Sequence, residues 1–107
     1  MRAVILIGLA LLLSSNNVLA EKSALICGAG QYLRSGITSI TCAVVENKAT
    51  IEEIKVNRGR CLIIPDLNHP LGREFNFGDE FVVDVFDCRI LEWSITTNGQ
   101  TLTWRNY

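Results

Sequence analysis

Apolar and polar positions alternate most clearly at the C-terminal end of the chain. From Arg89 to Asn106, two short runs rich in β-branched and aromatic residues flank Asn98-Gly99. Asn-Gly readily adopts the positive φ angles of a two-residue type I′ turn, whose twist suits a hairpin. That turn sets a register in which Thr97 faces Gln100, Ile95 faces Leu102, Trp93 faces Trp104 and Leu91 faces Asn106. One face then carries Leu91, Trp93, Ile95, Leu102 and Trp104. The other carries Glu92, Ser94, Thr96, Thr101, Thr103 and Arg105. A slip of one residue would turn the apolar set to water, so the pairing is strongly specified. Such a face needs a second layer to cover it.

The preceding chain breaks into similar short runs. Ala24–Cys27 reads as an edge strand, and Ile37–Val45 as a strand with Ile40, Cys42 and Val44 inward. Ala49–Val56 is ambiguous, because Ile51, Ile54 and Lys55 have helical spacing; close flanking turns and β neighbours favour a strand. Asn57-Arg58-Gly59-Arg60 is a turn, and Cys61–Ile64 a short strand stopped by Pro65. Pro65–Arg73 reads as an ordered loop or a switch between sheets. Phe75–Phe77 is a strand, and Phe81–Cys88 another with Phe81, Val83 and Val85 on one face. About seven short strands without a competing helical period predict an all-β sandwich, immunoglobulin-like or fibronectin-III-like.

Residues 1–20 stand outside this pattern. Arg2, the apolar run Ala3–Leu13 and the modest residues Val18-Leu19-Ala20 are expected to form a signal peptide cleaved before Glu21. The apolar run is too short to span a bilayer, so membrane insertion is not expected. Residues 21–107 form the single domain, secreted or periplasmic.

Its nine basic and eleven acidic side chains alternate in sign along the chain. Without a concentrated basic stretch, neither nucleic-acid binding nor binding to an anionic membrane is expected. All four cysteines, Cys27, Cys42, Cys61 and Cys88, lie in this domain, and an even count in a small exported chain reads as two disulfides. Cys27–Cys42 with Cys61–Cys88 would join neighbouring strands; Cys42–Cys88, bridging two sheets, is the main rival. With one histidine and no Cys-x-x-Cys pair, neither zinc nor another cofactor is expected.

Catalysis is not expected either. His69 sits in a polar loop, and no serine near it carries a nucleophile signature. Glu52-Glu53 and Asp79-Glu80 are adjacent pairs whose members point to opposite faces of a strand, unlike two carboxylates facing across a cleft. Binding is the better expectation. The loop supplies Asp66, Asn68, His69 and Arg73 as protein-contact candidates, and the C-terminal strand supplies Arg105 and Tyr107.

The C-terminal half resembles a known family. Cys61-Leu62-Ile63-Ile64-Pro65, Phe75-Asn76-Phe77-Gly78-Asp79-Glu80-Phe81, Cys88, Ile90-Leu91-Glu92 and the Asn98-Gly99 hairpin ending in Trp104 are similar to small secreted Gram-negative proteins typified by the interleukin receptor mimic protein. That resemblance implies a fibronectin-III-like fold, a homodimer by strand exchange, and engagement of host cytokine receptors. An extracellular or periplasmic protein partner is therefore expected. Inhibition of a host or competitor enzyme such as lysozyme, or service as an accessory subunit of a surface structure, is the alternative.

Overall fold

Asn98 and Gly99 adopt φ angles of 52° and 76° and close the final hairpin in the expected register. A computed structural model describes residues 23–65 and 69–107. The expected signal peptide, residues 1–20, lies outside the described residues.

Seven strands form two antiparallel sheets. The first orders β1 (Leu25–Ala29), β2 (Ile37–Val44) and β5 (Glu80–Phe86) as β1-β2-β5. The second orders β4 (Glu74–Asn76), β3 (Lys48–Val56), β6 (Glu92–Thr97) and β7 (Gln100–Arg105) as β4-β3-β6-β7. Pairing β4 with β3 gives the three-plus-four division of a fibronectin-III-like sandwich rather than the four-plus-three division of constant immunoglobulin domains.

The core lies between the sheets. Ile40, Cys42 and Val44 from β2 meet Phe81, Val83 and Val85 from β5 on one inner face; Ala49, Ile51, Val56, Trp93 and Ile95 form the other, all buried. Thr97 continues that inner row and is also buried. Trp93 and Trp104 stack across the hairpin with ring centroids 5.8 Å apart and planes 11° apart.

The helix-like spacing in β3 has a strand explanation. The β3–β6 register shifts between Ile51 and Glu53, so Ile51 lies opposite Thr97 and Ile54 opposite Ile95. A bulge adds one residue and returns the next apolar side chain to the same face, turning a period of two into a step of three.

Two elements differ from the sequence reading. Cys61–Ile64 makes only one bridge, Ile63 opposite Val85, with the Ile64 amide donating to the Asp84 carbonyl. Pro65 follows without an amide to extend the ladder. Leu91 keeps its backbone partner, since the Asn106 amide donates to its carbonyl at 2.7 Å, but it precedes β6 and its side chain is 45% exposed.

Both disulfides have the favoured pairing, Cys27–Cys42 and Cys61–Cys88. Cys27 and Cys42 are directly opposite on β1 and β2. Cys61 and Cys88 instead join two connections, one after the β3 turn and one after β5, rather than neighbouring strands.

Candidate functional site

In an antiparallel sandwich, successive connections fall at alternate ends. The β1–β2 loop, the turn after β3, the β5–β6 connection and the end of β7 gather at one end. The β2–β3, β4–β5 and β6–β7 turns gather at the other. The first of these ends carries the candidate site.

Its framework starts at a left-handed turn, Asn57–Gly59, in which Asn57, Arg58 and Gly59 have φ angles of 52°, 59° and 89°. Glycine takes this conformation freely and asparagine tolerates it, whereas an arginine there costs about 1–2 kcal/mol. The Asn57 side chain holds the turn against the β5–β6 connection. Its Oδ1 accepts the Leu91 amide at 2.8 Å and the Glu92 amide at 3.1 Å, and its Nδ2 donates to the Arg89 carbonyl at 2.8 Å. The Cys61–Cys88 disulfide ties the same two segments covalently.

On this framework Arg58 donates two hydrogen bonds to Glu92 from one edge of its guanidinium, Nε to Oε2 at 3.1 Å and Nη2 to Oε1 at 3.2 Å. Arg105 approaches the same carboxylate from β7, Nε to Oε1 at 3.5 Å. Glu92 is only 14% exposed, while Arg58 and Arg105 are 75% and 59% exposed. The Arg58 hydrogen bonds, aided by the charges of both arginines, hold the Glu92 carboxyl below its usual range. The same hydrogen bonds raise Arg58.

Beside this cluster, the Tyr32 hydroxyl donates to Asp87 Oδ1 at 2.7 Å and the Ser35 amide donates to the same atom at 3.1 Å. These bonds, Tyr32 first, lower the Asp87 pKa, and the bond to Asp87 raises that of Tyr32. The Arg89 guanidinium lies over the Tyr32 ring, 4.8 Å from its centroid.

Two shallow concavities share Leu91. One of about 420 Å³ is lined by Asn57, Arg58, Arg60, Leu91, Glu92 and Tyr107. The other, about 240 Å³, includes Tyr32, Arg89, Leu91 and Asn106. Leu91 and Tyr107 are 45% and 78% exposed. Exposed tyrosine, leucine and arginine on a cross-linked platform suit protein recognition: the aromatic and apolar groups supply contact area and the guanidinium groups orient it.

Of the expected contact residues, Arg105 and Tyr107 belong to this end. His69 and Arg73 do not line it: His69 Nδ1 accepts the Leu71 amide at 3.2 Å, the Arg73 carbonyl accepts the Ile51 amide, and the Arg73 guanidinium stands over Phe75. Asp66 and Asn68 lie outside the described residues. The sequence reading missed Tyr32, Arg58, Arg60, Arg89 and Leu91. The Asn57-Arg58-Gly59 turn was the available signal, because Asn-x-Gly marks a left-handed bend that can present the middle side chain outward.

Among the described residues, no group of three or more His, Cys, Asp or Glu side chains could hold a metal ion, and no helix is long and apolar enough to cross a membrane. Comparison with protein-family models, curated proteins and solved structures gave no match. Fold and site together define a small disulfide-bonded β-sandwich with a pre-organised, arginine- and tyrosine-bearing end.

Proposed function

We propose that this chain is an exported protein-binding module that meets its partner through the Arg58–Leu91–Tyr107 end of the sandwich. The exposure of Leu91 and Tyr107 beside a disulfide-tied, hydrogen-bonded turn is the observation that carries the reading. Two disulfides favour residence in an oxidising compartment. Resemblance to interleukin receptor mimic proteins makes host cytokine receptors the first partners to test. The open edges β1 and β7 suit a homodimer by strand exchange, which light scattering over a range of concentrations tests directly.

The binding proposal is tested by immobilising the oxidised protein and its Leu91→Ala/Tyr107→Ala variant. Both are exposed to purified cytokine-receptor ectodomains and to cell-surface extracts. A protein retained by the first and lost from the second supports the reading. Equal retention on both, or none on either, removes it.

A further inference from the structure

The charges that alternate along the sequence are segregated in space. Arg34 lies in the β1–β2 loop, Arg58 and Arg60 follow β3, Arg89 lies between β5 and β6, and Arg105 ends β7. All five belong to the end described above. The opposite end carries Glu46 in the β2–β3 turn, Glu74 on β4, Asp79 and Glu80 entering β5, and Glu52, which accepts the Gly99 amide. Lys48, 4.0 Å from Glu74, and Arg73, whose guanidinium stands over Phe75, are the basic residues among these five carboxylates. Charges of both signs that are mixed along the sequence thus become a polarity from end to end.

The two side-chain carboxylates at the basic end are already engaged, Glu92 with Arg58 and Arg105, and Asp87 with Tyr32 and the Ser35 amide. Among the described residues, no carboxylate pairs with Arg34 or Arg60. Arg89 is held by its face over Tyr32. We infer that the partner's contacting segment is an acidic protein segment, with carboxylates interspersed with apolar side chains. This rests on the protein-binding reading and specifies its chemistry. Guanidinium forks match carboxylates in a planar, two-pronged geometry. Sulfated glycans present similar charge, but Leu91 and Tyr107 between the arginines favour a ligand that also brings apolar groups. The acidic opposite end repels the same ligand and so fixes its orientation.

A random copolymer of glutamate and tyrosine, followed by fluorescence anisotropy, is the probe; heparin is the comparator. Three forms of the oxidised full-length domain are measured: the native chain, Arg34→Glu/Arg60→Glu, and Glu46→Lys/Glu80→Lys. Both variants alter exposed side chains, and near-ultraviolet circular dichroism checks their folding. The native chain is expected to bind the copolymer more tightly than heparin, and to lose about tenfold in affinity between low and physiological ionic strength. The arginine reversal is expected to weaken binding about tenfold, and the change at the opposite end to leave it unchanged or tighter. No copolymer binding, equal effects of the two variants, or preference for heparin overturns the inference. A captured protein that depends on Leu91 and Tyr107 but is indifferent to salt and to the arginine reversal overturns it too, while leaving the protein-binding reading intact.

Discussion

Asn57 and Leu91, 34 positions apart in sequence, are joined by a 2.8 Å hydrogen bond from the Leu91 amide to the Asn57 side-chain carbonyl. The same asparagine caps Glu92 and binds the Arg89 carbonyl, so one side chain fixes the shape of the exposed end. Asn57→Ala leaves those backbone groups without partners and puts alanine at a positive φ, and is expected to destabilise the domain by about 1–3 kcal/mol. Asn57→Asp keeps the acceptor for Leu91 and Glu92 and is expected to be milder. Urea denaturation of the oxidised proteins measures both.

The disulfides are expected to contribute unequally. Cys27–Cys42 spans 15 positions and Cys61–Cys88 spans 27. By loop-closure entropy these correspond to about 3 and about 3.5 kcal/mol. Replacing Cys61 and Cys88 by alanine should therefore cost slightly more than replacing Cys27 and Cys42. It should also loosen the amides of Arg58 and Leu91, which hydrogen exchange detects.

The hairpin and the core were legible in the sequence because their signals are local. Asn98-Gly99 specifies a turn, alternation specifies a face, and every pair from Thr97–Gln100 to Trp93–Trp104 follows. The β3 bulge disguised its strand as a helix-like step, and Cys61–Ile64 looked like a strand because four apolar or small residues in a row do not reveal whether a neighbour has a free edge to pair with. The arginine end was hidden for a different reason. Arg34, Arg58, Arg89 and Arg105 are separated by acidic positions along the chain, and only the alternating direction of the strands collects them.

The two tryptophans should differ in their effect on stability. Trp93 is buried at 4% exposure, whereas Trp104 is half-buried at the open β7 edge. Trp93→Ala should cost about 3–5 kcal/mol, and Trp104→Ala clearly less. Thermal and urea unfolding of the two variants checks the order; equal losses would contradict the described packing.

Acid should weaken the domain through Glu92 and Asp87. Both carboxyls are held below their ordinary values of 4.5 and 3.8. A carboxylate depressed in the folded state stabilises it above the unfolded-state pKa, and that contribution is lost as pH falls through the folded-state value. Melting temperature should hold near neutrality and fall through and below the ordinary carboxylate range. Glu92→Gln should be less stable than the native chain at neutral pH and should depend less on pH in that acidic range.

The most direct test of the proposed binding surface is an amide-shift map of the isotopically labelled, oxidised protein as a retained partner is added. The account predicts the largest changes at Arg58, Arg60, Arg89, Leu91 and Tyr107, with the Glu46, Asp79 and Asn98 turns unmoved. Changes confined to those turns, or to His69–Arg73, would contradict it and place recognition elsewhere on the sandwich.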